Sequence, residues 1–422
     1  MKLDAHVAQD AIIVDAAKDI KVLSRLSWPA DKMTDFLDGW HRGEPRLPEV
    51  AYPGAADLDQ RLRALEGAAR ILETFDDPVA DYLCATARSY VVLCELLANA
   101  GTRRMLEASR SLYGMPGDSL SDGRVNNIDA ARHFLEQSDQ YYQSTHLQED
   151  DYCVPAQVIK EDLDRRLAEV FPNNTVQVVI DANLASKAAA GATRIRLRGD
   201  TCFTGYDLEQ LLQHEAFVHS LTALNGRAQP AIRSLGLGAP RTTAAQEGLA
   251  TFAELVTGAI DIDRMKRIAL RVIAIDMALN GADFIEVFRF FLQSGQIERE
   301  SFNSTMRIFR GAPLTGGAAF TKDVVYLHGL MEVHTFFRWA LSKQRLQLCK
   351  NFFAGRMTIA DTITLEPMFN DALIAGPKYL PLWMTRTNGL AGYLAFSIFA
   401  NRISIDSLDE HHRFDKVQDL SD

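Results

Sequence analysis

Cysteine is scarce and unpatterned in this chain: the five residues (Cys84, Cys94, Cys153, Cys202, Cys349) are scattered, and no Cys-x-x-Cys occurs. That argues against a thiolate metal site. The odd number reads as reduced thiols in a cytoplasmic protein rather than as a disulfide framework. Long apolar runs are also missing. Ala11–Val14 is cut off by Asp15 and is too short for an export signal or a membrane span. Leu390–Ala400 supplies only about eleven residues where a span needs about twenty, so it is expected to form a buried helix. There is no excess of positive charge: the net charge of −10 argues against nucleic-acid and acidic-membrane partners. Internal repeats and low-complexity segments are absent too. What remains, 47% hydrophobic and 24% charged residues, is the composition of an ordinary globular protein with enough chain to bury a large core.

Residues 1–27 follow a helical period that stops at Trp28-Pro29. Turn residues crowd Gly43–Pro48 and Tyr52–Gly54. From Asp57 a clean amphipathic helix sets Leu58, Leu62, Leu65, Ala69 and Leu72 on one stripe. Asp77-Pro78 opens the next helix and Asn99-Ala-Gly101 closes it, with more helix to about Gln143. After the acidic Glu149–Asp151 the pattern changes. The β-branched Val176–Ile180 reads as a strand, Ala188–Gly191 as a small-residue turn, and the strictly alternating Arg194–Arg198 as a half-exposed edge strand. Beyond Gly258 helix returns, broken at Gly311–Gly317 and Gly376-Pro377, and a charged tail follows Ser404.

The chemistry is concentrated between Asp207 and Ala250. Leu208, Leu211, Leu212, Glu215 and Val218 recur at helical spacing, and this helix carries His214-Glu215-Ala-Phe-Val-His219. In the common zinc-protease pattern the histidines stand four apart and share a face. Here they are five apart, a rotation of about 140° on a regular helix, which points them away from each other. One residue accommodated as a π-bulge would bring them together. After a Gly/Pro-rich connection, Thr243–Gln246 resembles a capping box that opens a second helix and places Glu247 in its first turn. Two imidazoles and a carboxylate leave one position open on a zinc ion, the pattern of a catalytic rather than a structural site. Glu215, next to His214, is placed to act as general base on a water that the metal acidifies. The bland alternative is a Glu215–His219 pair on a solvated face with His214 in the core.

His-Glu-x-x-x-His followed by Gln246-Glu247-Gly248-Leu249-Ala250 resembles a family first catalogued as a domain of unknown function. Its bacterial members are named for the QEGLA motif, and its animal members include the microtubule-associated tyrosine carboxypeptidase. The likeness runs over roughly residues 15–400. It includes Trp28-Pro29, Leu47-Pro48, Gly101-Thr102, Tyr113-Gly114-x-Pro116, Arg194–Arg198 and Phe320-Thr-Lys-Asp323-x-x-Tyr326-Leu327. The resemblance implies one zinc held by His214, His219 and Glu247, a catalytic Glu215, and carboxypeptidase-like activity.

The expected architecture is α+β, mainly α. Residues 1–150 form a helical region packed on the core, 151–403 a zincin-like catalytic region with a small sheet, and 404–422 a charged tail. The expected function is zinc-dependent hydrolysis of a peptide bond at the C-terminus of a peptide or protein, with no nucleic-acid or membrane partner. Two other readings stay open: a non-catalytic, zinc-containing regulatory or binding protein, and a zinc amidohydrolase acting on a non-peptide amide. A carboxypeptidase needs a cation for the terminal carboxylate. Lys322 and Arg310 are the candidates, with Arg241 behind them, against solvated or ion-paired surface charges. Tyr326 is either an oxyanion donor or a partly buried core tyrosine. Glu254, seven residues after Glu247, is either the outer partner that orients a ligand histidine or half of an ordinary ion pair. His328, His334, Met331 and the Phe288–Phe291 and Phe336-Phe337 runs read as structural. The substrate, the preferred terminal residue and the oligomeric state are not encoded legibly.

Overall fold

A computed structural model describes residues 2–18, 20–121, 123–145, 153–182, 184, 187–371 and 373–400. The acidic Glu149–Asp151 and the charged tail from Ser404 fall outside them. The principal helices of the N-terminal part are α1 (Lys2–Ala17), α2 (Asp59–Leu72), α3 (Pro78–Ala98) and α4 (Asn127–Thr145). The Asp77 carboxylate accepts from the Val79 and Ala80 N–H groups at 3.1 and 3.0 Å, and Pro78 occupies the first turn, where it removes no helical bond. The chain is mainly helical, with one small sheet. Among the described residues no helix is long and apolar enough to cross a membrane.

Contacts gather residues 1–380 into one compact unit and 381–422 into a second. Within the first, α1, α2 and α3 bury Ile13, Leu65, Leu72, Leu83 and Leu97 in the same core as Leu235, Ala239, Val325 and Met357. The N-terminal helices thus share their interior with the segments that frame the site. Asp10 fastens the two parts at one point: its carboxylate, 2% exposed, accepts from the Arg233 and Ser234 N–H groups at 2.8 and 3.0 Å. A neighbouring aromatic core packs Phe36, Phe284, Phe288, Phe302 and Phe309 edge-on or tilted against one another.

After α5 (Ala156–Val170) come β1 (Gln177–Asp181), β2 (Ala188–Ala190) and β3 (Arg194–Arg198), in the spatial order β1-β3-β2. β3 pairs parallel with β1 and antiparallel with β2, its Ile195 and Leu197 buried and its arginines on the other face. Two sequence expectations are corrected here. The alanine run is a strand, not a turn, and it, rather than Arg194–Arg198, is the edge that leads toward the site. Alanine has little strand preference of its own; pairing with β3 imposes the conformation, which no local pattern announces.

The cysteine reading is also corrected: Cys153 and Cys202 are joined by a disulfide, and Cys84, Cys94 and Cys349 are free. Val154 and Phe203 exchange backbone bonds at 2.8 and 3.1 Å, which brings two cysteines 49 positions apart in sequence to a Cα separation of 4.9 Å.

The helices that frame the site are α6 (Gly205–Leu211), a π-helical segment (Leu212–Ser220), α7 (Thr243–Thr257), α8 (Ile262–Leu279), α9 (Glu298–Phe309) and α10 (Val324–Ser342). α7 and α10 cross with their backbones in contact. A Cβ on Gly248 would lie 2.2 Å from the Gly329 carbonyl carbon, and one on Gly329 would lie 2.1 Å from the Ala244 oxygen. That crossing accounts for the glycine of Gln-Glu-Gly-Leu-Ala, and it brings Lys322 up to Glu247. The second unit, taken alone, includes α11 (Thr387–Ala400), expected to be buried. Instead Phe396 and Phe399 are 73% and 65% exposed. The stretch is apolar all round, so its sequence fixes no inward face.

Replacing Gly248 with alanine is expected to destabilise the fold by about 3 kcal/mol, read from denaturant midpoints at unchanged slope, because neither backbone can retreat. Thiol titration of the denatured, unreduced protein is expected to find three free thiols, Cys84, Cys94 and Cys349, and five after reduction.

Candidate metal centre

The connection out of the sheet sets the first helix. Thr204 and Asp207 form a capping box at the start of α6, and Asp207 also receives the Lys187 ammonium at 2.8 Å from the start of β2. From Leu212 the chain changes to π-helical hydrogen bonding, which ends with the Leu221 N–H bonded to the Ala216 carbonyl five residues back. Bonds of that span bring residues five apart onto one face. The His214 and His219 rings therefore meet, 4.8 Å between centroids at an interplanar angle of 83°, where a regular helix would separate them. This is the distortion that the spacing of the two histidines demands.

α7 supplies the third group. Its start corrects another expectation: Thr243 makes no capping box, and its hydroxyl donates instead to the Pro240 carbonyl at 2.7 Å. Helix entry runs through the 3-10 turn Pro240–Thr242, leaving Gln246 free to accept from the Thr222 hydroxyl at 2.8 Å. Glu247 then faces back, its Oε2 lying 3.4 Å from His214 Nε2 and 3.5 Å from His219 Nε2. One ligand atom from each of the three residues falls within 4.8 Å of the others. Hydrogen bonds between ionised groups run shorter, about 2.7–2.9 Å. Two donors on one tetrahedral zinc, at bond lengths of about 2.0–2.1 Å, stand about 3.3 Å apart. The spacing and the donor set thus fit zinc.

The surrounding charges are paired in sequence outward. His214 Nδ1 is 2.6 Å from Glu254, which is fully buried and accepts from Arg264 at 3.2 and 3.3 Å. Glu254 thus bonds the His214 imidazole and also forms an ion pair with Arg264. Burial works against charge on Glu247, but Lys322 and the two histidines outweigh it and hold the carboxyl well below its usual range. At His214 burial opposes protonation, and the bonds to Glu247 and Glu254 overcome it, raising the pKa well above normal. At Glu254 burial is outweighed by Arg264 and His214, and the pKa falls.

Glu215 lies at the strand edge. The Gly191 N–H bonds the Arg194 carbonyl and the Arg198 N–H bonds the Lys187 carbonyl, so the intervening Ala188 and Ala190 turn their backbone groups to the outer side of β2. There the Ala190 N–H donates to Glu215 Oε2 at 3.2 Å, and the Ser220 hydroxyl donates to the Gly191 carbonyl at 2.8 Å.

The other candidates separate. Lys322 sits on the centre, its Nζ 3.2 Å from Glu247 Oε1. Tyr326 is beside it, its ring nearly parallel to that of His214 at 6.5 Å and within 5.4 Å of the Lys322 ammonium. Arg310 has no ion pair among the described residues, and its Nε is buried without an acceptor. Arg241 is paired bidentately with Asp361 at 2.7 and 2.8 Å. His328 meets Asn127, His334 packs near Phe252, and neither belongs to the cluster of three. Sequence reasoning missed Arg264, the Ala190 N–H and Arg356, whose Nη2 donates to the His219 carbonyl at 2.9 Å. Only the Thr204-x-x-Asp207 signature at the head of the helix was there to be read locally.

A family model described as microtubule-associated tyrosine carboxypeptidase matches residues 35–402. No curated protein matches the chain.

Substituting Glu254 with glutamine removes the charge that orients His214. Zinc affinity, measured by competition with a chromophoric chelator, is expected to fall about 10- to 100-fold while the helical circular dichroism is kept.

Proposed function

The chain belongs to the microtubule-associated tyrosine carboxypeptidase family, and on that premise we propose that it is a zinc-dependent peptidase removing a residue from the C-terminus of a peptide or protein. The convergence of His214, His219 and Glu247 on one point, with Glu215 next in the chain, carries this reading. We read the edge strand beside a metal-binding helix as a zincin-like layout. These three residues would hold one zinc ion with a position left open. When bound, zinc acidifies a water and polarises the scissile carbonyl.

The protein's own groups do the rest. Glu215, tethered to the Ala190 N–H, takes a proton from the attacking water and returns it to the leaving amine. A side chain bonded to the strand edge is held on the face where an extended peptide would lie along β2. Tyr326, whose ring lies beside that of His214, would donate to the oxyanion that develops on the carbonyl. Lys322 occupies the second oxygen of Glu247, which keeps that carboxylate turned toward the histidines by its first. The neighbouring base supports an enzyme over a purely structural zinc protein, since a structural metal has no use for it.

Exchanging Glu215 for glutamine is expected to leave one zinc per chain and to lower hydrolysis by about 100-fold or more, read by mass spectrometry on a C-terminally varied peptide library. Products of the unsubstituted protein should be one residue shorter. Equal activity of the variant rejects the mechanism, and internal cuts reject the carboxypeptidase assignment.

A further inference from the structure

Most cations around the centre are already matched to an anion. Lys322 lies on Glu247, Arg264 on Glu254, Arg307 on Asp323 at 2.7 Å, and Arg241 on Asp361. Arg356 is different. Its one side-chain hydrogen bond among the described residues goes to the carbonyl of His219, and no carboxylate lies within ion-pair distance. Its Nε is buried with no acceptor.

The position is nonetheless fixed. The Arg356 N–H bonds the Leu235 carbonyl at 2.7 Å, and the guanidinium fills the space that a side chain at position 238 would need. A Cβ on Gly238 would fall 2.8 Å from Nη1. Burial lowers the Arg356 pKa and Arg227 adds to the effect, while Tyr90, Glu247 and Glu215 oppose it, so the group shares the field of the catalytic carboxylate.

A guanidinium carries five N–H donors in a planar fork, and holding one largely out of water without a counter-charge is costly. A carboxylate docked on two of those donors would offset that cost and be oriented by it. We propose that Arg356 receives the terminal carboxylate of the substrate on the His219 side of the centre, and so makes the protein cut at chain ends. Arg310 is also without an ion pair, but it sits among Tyr52, Arg307, Asp323 and Tyr326 and touches none of the three metal-binding candidates. The assignment rests on the peptidase reading.

The test uses the full, zinc-loaded chain carrying Glu215→Gln, so that bound peptide is not consumed. The probe is a C-terminally varied pool of N-acetylated peptides, supplied as free acids and as C-terminal amides, with retention read by affinity-selection mass spectrometry. Free acids are expected to be retained on the order of 30-fold better than amides, and adding Arg356→Met is expected to bring the ratio to within about threefold with zinc kept. Arg356→Lys should restore part of the preference, and Arg310→Met should leave it intact. Four results overturn the proposal: acid preference surviving in Arg356→Met, its collapse in Arg310→Met instead, equal or no retention of acids and amides before Arg356 is changed, or loss of zinc from both Arg356 variants. The last would make Arg356 a support for His219 alone. Turnover by the Glu215 protein is scored separately. Acids retained but never cut would sink the peptidase reading and leave the subsite, whereas acids and amides cut equally would do the reverse.

Discussion

A helix wound one residue too wide between Leu212 and Ser220 is the constraint on which the rest depends. Isolated π-helix is rare because its hydrogen bonds are less favourable than those of the α form, and it persists where the surroundings hold it. Here the surroundings act from three directions. The Ser220 hydroxyl bonds the Gly191 carbonyl beyond β2, Arg356 bonds the His219 carbonyl, and the Thr222 hydroxyl bonds Gln246 on α7. Were this segment to relax to a regular helix, the two imidazoles would diverge and Glu247 would face only one of them.

Charge is the second consequence. The centre sets Lys322, Glu247, His214, Glu254 and Arg264 in a largely buried chain in which each group faces an opposite partner within 3.4 Å. Burying such groups is unfavourable for each alone and tolerable only with every partner present. Single substitutions along the chain should therefore be strongly non-additive, since removing either end strands the same charges. The close crossing of α7 and α10 at Gly248 and Gly329 is what makes the chain of contacts possible: it brings Lys322 within reach of Glu247.

Local readings succeeded where a single element decides its own conformation. The stripe of Leu65, Ala69 and Leu72 is buried on α2, Asp77-Pro78 starts α3 as written, and the alternation of Arg194–Arg198 buries Ile195 and Leu197. They failed where a partner decides. The alanine run is a strand because β3 pairs with it, Thr243 gives its hydroxyl to a carbonyl that the preceding turn presents, and Cys153 meets Cys202 through the Val154–Phe203 bridge. The apolar α11 was expected inside and instead exposes Phe396 and Phe399, since hydrophobic content without periodicity carries no direction.

By itself the sequence determined the residue types of the centre and the need for a widened helix. Both follow from the fixed angular advance of a regular helix and the five-residue spacing of His214 and His219. Only the tertiary structure decided which cations serve which anions. Lys322, Arg264, Arg310 and Arg356 look alike as letters, and what distinguishes them is whether a carboxylate from a distant part of the chain has been folded against each. That depends on distances between elements, which no local pattern of residues contains.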